Sequence, residues 1–321
     1  MACPWANGAK SSTLIAFESV YNTLPGDAGT KSVLLPINTN GVKCSQNSTT
    51  PNTIRGNRSP VEPIKGNNDV SGDVVVPVDY TAFGYWLKAL FGAPASSAVS
   101  GKDGYYQHVF KIGDDAPSFT LEKAFPGISQ YIRDSGCKAS KMSISVGGDG
   151  ELTSTISIMG AREGIEDASM STQPVAAGFG RADNFEASLK IGGTDVAVAT
   201  SFSIDIDAGL DGDSYCIGNG GYRTAICEGL VNISGTMEAF FKDASFLKMA
   251  ENDVETSMEL TLAQGDLSLK FKLPEAKFAK TSPSIDGPTG IKQSLNYNAY
   301  YEDNSDNGAI VVTLVNKVAS Y

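Results

Sequence analysis

The chain reads as a mainly β protein made of two similar tandem modules, each of strands plus one α-helix. Three observations predict this. Gly, Ser, Thr, Asn and Val are abundant, as short strands joined by turns require. Apolar and small polar residues alternate in several segments, the period of a half-buried strand. The chain also echoes itself across its midpoint. Gly66-Asn67-Asn68-Asp69-Val70-Ser71-Gly72, followed by Asp79 and an aromatic-rich run, returns as Gly229-Leu230-Val231-Asn232-Ile233-Ser234-Gly235, followed by Asp243 and Phe246-Leu247. Gly72 and Gly235 lie 163 residues apart in a chain of 321, about the offset of a tandem duplication. The expected domains are 1–164 and 165–321.

Each element has its own signal. Ser32-Val33-Leu34-Leu35-Pro36 is strand-like. From Asp79 to Phe91, Asp79 is placed to cap a first turn. Tyr80, Phe83, Leu87, Leu90 and Phe91 then recur at helical spacing until Gly92 ends the run. Tyr105 to Phe110 again reads as a strand. The clearest hairpin joins Lys141–Val146 to Glu151–Ile158 through Gly147-Gly148-Asp149-Gly150, with Met142, Ile144, Val146, Leu152, Ile156 and Ile158 on one face. Strands with one apolar face follow at Ser201–Asp207, Asn232–Glu238 and Thr256–Leu262, and a shorter helix at Asp243–Met249. Two long polar segments, Asn38–Lys65 and Ala208–Glu228, occupy the same place in each half. Loops of that length tend to be functional or mobile.

Composition narrows the function. With 41% hydrophobic and 19% charged residues the chain is expected to fold. A net charge of −11 and a pI near 4.6 argue against holding nucleic acid through its phosphates, which takes clustered Lys and Arg. Five cysteines without a C-x-x-C pair suggest neither a disulfide framework nor a zinc cage. The N-terminal Met1-Ala2-Cys3-Pro4-Trp5-Ala6 lacks a secretory pattern, and no run approaches the ~20 apolar residues of a membrane span. Folding in a cytoplasm, away from membranes, is expected.

Chemistry is sparse. The one histidine, His108, sits in a strand-like stretch outside any catalytic motif and reads as structural. Asp205-x-Asp207-x-x-x-Asp211-Gly212-Asp213 fails the EF-hand pattern, with Leu210 where Gly belongs and Cys216 where Glu belongs. Gly218-Asn219-Gly220-Gly221 lacks the Lys-Ser/Thr of a phosphate loop. The Asn-x-Ser/Thr triplets at Asn47, Asn57 and Asn232 are chance matches without secretion. No catalytic residue, cofactor or metal is expected.

The order of several weak motifs carries a resemblance. Gly72 and its strand are followed by Phe83-Gly84-Tyr85-Trp86-Leu87-Lys88-Ala89-Leu90-Phe91-Gly92, then by Tyr106-Gln107-His108-Val109-Phe110 and Ser118-Phe119-Thr120-Leu121-Glu122. Gly136-Cys137-Lys138 then leads into the hairpin ending at Met159-Gly160. Ser203–Asp207, Val231–Gly235 and Leu273-Pro274 continue the series. Over roughly residues 30 to 315 the chain resembles the major tail tube proteins of long-tailed bacteriophages. The resemblance implies two tandem tail-tube-like domains in a non-enzymatic virion protein, assembled in the bacterial host cytoplasm. Its β-sandwiches would form rings around a channel, and stacked rings would make the tail through which DNA passes without specific binding. Three two-domain chains would make a pseudo-sixfold ring, with a true hexamer as the alternative. The other implied partners are the tape measure protein and the tail terminator and distal tail proteins.

A conduit for a polyanion should offer hydroxyls and carboxylates rather than clustered cations. The lumen candidates are Glu151, Thr153, Asp205, Asp207, Glu238 and Glu259. The long loops then become candidates for contacts between subunits, through Asn38, Asn40, Asn57 and Arg58 in the first and Asp211, Asp213, Tyr222 and Arg223 in the second. A carbohydrate-binding or adhesive β-sandwich would share the composition but should expose an aromatic platform, whereas Trp5 and Trp86 lie at the N-terminus and in the helix. A hydrolase would need paired carboxylates in a cleft.

Overall fold

A computed structural model describes residues 4–285 and 287–321. It is mainly β, as the alternation predicts. The first half comprises β1 (Ser12–Phe17), α1 (Ala28–Lys31), β2 (Val33–Leu35), β3 (Thr39–Asn40), β4 (Lys43–Thr49), β5 (Ile64–Pro77), α2 (Phe83–Phe91), β6 (Ala95–Ala98), β7 (Tyr106–Lys111), β8 (Phe119–Phe125), β9 (Gln130–Val146), β10 (Thr153–Gly160), β11 (Arg162–Glu166) and β12 (Val175–Ala176). The second comprises β13 (Ala187–Ile191), β14 (Thr194–Asp195), β15 (Ala199–Asp207), β16 (Asn232–Phe240), α3 (Ser245–Glu251), β17 (Thr256–Gln264), β18 (Leu267–Phe278), β19 (Lys292–Tyr300) and β20 (Val311–Asn316).

Strand pairing repeats between the halves. In the first, β3 and β4 pair with β5, β5 with β10, and β10 with the C-terminal part of β9. The N-terminal part of β9 pairs instead with β8 and β11, and β8 with β1. In the second, β15 pairs with β16, β16 with β19, and β19 with the end of β18. β17 runs beside β18 from Leu267 to Ala276, β20 pairs with the start of β18, and β17 pairs with β13. One long strand in each half thus changes partners along its length: β9 from β8 and β11 to β10 and β15, and β18 from β20 to β19 on one edge.

The echoed glycines have a shared physical cause. A Cβ on Gly72, at φ +154°, would stand 2.3 Å from the Gly41 carbonyl oxygen, and one on Gly235 would stand 2.0 Å from that of Ser203. Each lies where the preceding strand's backbone crosses too closely for any side chain. The helices share their start as well. Asp79 Oδ1 accepts the Thr81 and Ala82 N–H groups, both at 2.6 Å, and Asp243 Oδ1 accepts that of Ser245 at 2.8 Å. Gly92, at φ +92°, ends α2. This helix buries Phe83, Trp86, Leu87, Leu90 and Phe91, each worth about 1.5–3 kcal/mol. The regular helices begin at Phe83 and Ser245, a few residues after the acids from which the sequence starts them, because those acids sit in the capping turns.

The halves are joined edge to edge. β9 and β15 pair antiparallel from Phe202↔Val146 to Asp207↔Lys141, so β5–β10–β9–β15–β16–β19 is one continuous sheet. Contacts also cross residue 164 in both directions. β12 pairs parallel with β2, and Arg181 bridges to Asp79. The β6–β7 pair, from the first half, extends the second half's sheet through β7–β20. Among the described residues a large apolar core runs from Ile15 to Leu314, and a smaller one gathers Leu14, Ala16, Ala28, Ala124 and Met170.

Candidate functional site

The continuous sheet has one apolar and one polar face. Ile144, Ile156, Ile204, Met237 and Leu295 point into the core, while Ser143, Thr155, Asp205, Thr236 and Asn296 alternate with them on the other side. Ser154 also points inward, its Oγ donating to the Ser143 carbonyl at 2.9 Å. Among the lumen candidates, Thr153, Asp205, Asp207 and Glu238 share the polar face. Glu151 lies just before β10, 3.1 Å from Arg181 and accepting from Asn38 Nδ2 at 2.7 Å. Glu259 belongs to β17, outside the six-strand run β5–β10–β9–β15–β16–β19, opposite Lys190 and Lys272 and 3.0 Å from Lys270 Nζ.

The polar face neutralises its own cations. Lys141 Nζ is 2.8 Å from Asp207, and Lys292 Nζ 2.8 Å from Glu238. The Lys292 ammonium and then the Thr200 hydroxyl hold the Glu238 carboxyl below its usual range. Partial burial opposes the same shift in Asp207, but the Lys141 and Gly209 donors prevail. Serine hydroxyls serve the neighbouring acids, Ser143 Oγ donating to Asp205 Oδ1 at 2.5 Å and Ser157 Oγ to Asp73 Oδ1 at 2.7 Å. Exposed ion pairs of this kind contribute about 0–1 kcal/mol, so their consequence is the charge the face presents rather than stability.

Asn38–Lys65, expected as a loop, is largely a hairpin arm, with β4 and β5 paired from Lys43↔Ser71 to Thr49↔Ile64. Neither face of this hairpin carries an apolar stripe, which is why the alternation signal missed it. Asn40 ties the arm's base to Thr13, its Nδ2 donating to Oγ1 at 3.2 Å. At the tip, Asn57 accepts from Ser59 N at 3.0 Å, Arg55 Nη2 donates to the Pro60 carbonyl at 3.0 Å, and Arg58 is exposed. Ile54 there is 97% exposed.

The arm's root covers an acidic cluster. Lys123 Nζ donates to the Val42 carbonyl at 2.5 Å and lies 3.0 Å from Asp134 Oδ2, while Cys44 N donates to Glu163 Oε2 at 3.3 Å. Neither Asp134 oxygen receives a well-directed hydrogen bond. Burial pushes the Asp134 carboxyl up to about 6, a shift the Lys123 ammonium only partly offsets.

Ala208–Glu228 also forms a hairpin, bridged at Asp211↔Cys227 and Tyr215↔Arg223. It folds back over the first half. Ala208 N donates to the Ser140 carbonyl at 2.8 Å, Tyr215 OH to that of Asn68 at 2.9 Å, and Asn68 N to that of Gly221 at 2.8 Å. Buried Arg223 fastens the fold-back: Nη1 donates to the Gly160 and Val70 carbonyls at 2.9 and 3.2 Å, Nε to Gly212 at 2.7 Å, and Nη2 to Asp69 Oδ1 at 2.5 Å. The Arg162 guanidinium stacks 4.6 Å from the Tyr222 ring. Asp211 turns its side chain onto Asp213 N. Arg223 therefore spends its donors within the chain, and Tyr222 its ring face.

At the matching end of the second half is an open cleft of about 810 Å³, walled by Leu90, Phe91, Leu230, Val231, Ala299 and Tyr301, with Asp114, Asp115 and Glu228 among its lining. Sequence reasoning did not find it, because its walls come from six separated segments.

His108 is buried, with Nδ1 2.7 Å from Ser96 Oγ and Nε2 2.9 Å from the Val318 carbonyl, and burial holds its pKa below the ordinary value. Among the described residues no group of three or more His, Cys, Asp or Glu is arranged to hold a metal ion. A family model described as phage tail tube protein matches residues 8–299. A comparison with curated proteins returns no match.

Proposed function

The chain belongs to the phage tail tube protein family, a structural component of the virion tail, and from that premise we propose that three copies close into a pseudo-sixfold ring. Rings stack into a tube whose channel is lined by the polar face carrying Thr153, Asp205, Asp207 and Glu238. DNA passes through without a specific site, since the face offers hydroxyls and carboxylates and its lysines are already paired. The supporting observation is the β9–β15 seam between two halves of matching strand order. If each half is one copy of a duplicated domain, this seam is the joint that also recurs between chains. The β3–β4 edge at one end of the sheet and the end of β18 at the other are then complementary. Such a head-to-tail contact closes into a ring when its rotation allows. Assembly takes place in the host cytoplasm, and the tube's ends and interior meet the terminator, distal tail and tape measure proteins.

Electron microscopy of the concentrated protein, with class averages down the axis, tests this. Rings with an open channel and threefold symmetry under a sixfold outline are expected. Six chains per ring would replace the trimer with the hexamer. Compact single particles, even after seeding with tail fragments, would refute the ring.

A further inference from the structure

We propose that the cleft beside Tyr301 receives the β4–β5 arm of the neighbouring chain in the same ring. The inference rests on the ring proposed above and follows from how the halves treat corresponding places. Aligning Val70-Ser71-Gly72 with Ile233-Ser234-Gly235 matches the pair Val70↔Gly160 to the pair Ile233↔Ala299. In the first half the backbone at that point is covered: the 208–228 hairpin lies across it, with Arg223 bonded to the Val70 and Gly160 carbonyls and Tyr215 to Asn68. In the second half the matching residues, Leu230, Val231, Asn232, Ala299 and Tyr301, line the open cleft, and Leu230 is 93% exposed.

The alignment also identifies the occupant. The covering hairpin connects β15 to β16, and its counterpart connects β4 to β5. That counterpart reaches away from its own half with its tip exposed. Within the chain, the covering hairpin follows the strand that pairs across the seam with β9. The arm would likewise follow the strand that pairs across the next seam, so it arrives from a second copy on the cleft side. Charge agrees with this seating. The arm carries Lys43, Arg55, Arg58 and Lys65 against the single acid Glu62, in a chain of net charge −11. The cleft offers Asp114 and Asp115, while Glu228 in its lining is already paired with Lys138. Exposed Ile54 is the arm's apolar match for Leu230, Phe91 and Ile112.

The test uses three full-length variants: Arg55→Glu with Arg58→Glu, Asp114→Lys with Asp115→Lys, and all four changes together. All four positions are exposed, and thermal melting of the monomers checks that folding is intact. Sedimentation velocity and electron microscopy then read ring formation. Each double variant is expected to raise the concentration needed for rings by about tenfold or more, and the fourfold variant to restore it toward the wild-type value. Rings that form equally well from wild type and both double variants overturn the arm-in-cleft contact and leave the ring standing. The same contact is overturned if the fourfold variant fails to recover. A wild-type chain that never forms rings overturns the ring and this inference with it.

Discussion

Arg223→Met should release the 208–228 hairpin from the first half while leaving the sandwiches folded. The wild-type guanidinium supplies four hydrogen bonds, to the carbonyls of Val70, Gly160 and Gly212 and to the Asp69 carboxylate. Methionine fills similar volume but donates nothing, and the carbonyls at the Val70↔Gly160 end of the sheet lose their charged partner. Charge-assisted hydrogen bonds are worth about 1.5–3 kcal/mol each, and water entering the gap recovers part of that, leaving a net local cost of about 3 kcal/mol. That corresponds to roughly a hundredfold increase in local opening. Hydrogen exchange resolves it, because the Asn68 N–H bonded to the Gly221 carbonyl reports on the docking. Its protection should fall about a hundredfold, while amides of β10 and β16 exchange as before. Unchanged protection at Asn68 would refute the clamp. Arg223→Lys, which keeps the charge but loses the fork, should lie between the two.

Two further outcomes test the electrostatics. Asp134 is raised to about 6 by burial, so the fold favours its protonated form. The stability from this group is fully present below the unfolded carboxyl value near 3.8 and is lost as pH rises through about 6. Over that window the wild type loses about 3 kcal/mol from this group. Denaturant melts at pH 4 and pH 7.5 should therefore show Asp134→Asn gaining about that much relative to wild type at the higher pH, and an equal difference at both would refute the assignment. Replacing Asp205 and Asp207 with lysine turns two carboxylates of the polar face into cations. Assembled tubes of that variant should retain duplex DNA at low salt and release it as salt rises, whereas equal, weak retention by variant and wild-type tubes would remove this face from the channel.

Legibility in the sequence followed periodicity. Met142–Val146 and Ile156–Ile158 announce their faces because the core takes every second side chain, and Asp79 and Asp243 announce helices because a side-chain acceptor there takes the N–H groups of the first turn. The β4–β5 arm has no core to face, so nothing alternates and its pairing was invisible. The same rule explains the lumen candidates. Parity within a strand placed Asp205, Asp207 and Glu238 on one face, but Glu259 sits in a strand of identical pattern outside that six-strand run. Parity tells inside from outside and not which strands lie side by side. Arg223 gave no signal of burial, since the carbonyls it serves belong to residues 63 and 153 positions away.

The exchange of the β6–β7 pair into the second half's sheet governs the order in which the chain folds. His108 lies opposite Leu314, and Gln107 opposite Val315. Roughly two hundred residues must therefore be made between one partner and the other, and such a contact closes only after the intervening chain has been gathered in. A nascent chain leaving the ribosome N-terminus first carries an unpaired β7 edge until the last strand arrives. Chains that stop before Val311 keep that edge open, an unpaired strand edge of the kind that invites aggregation.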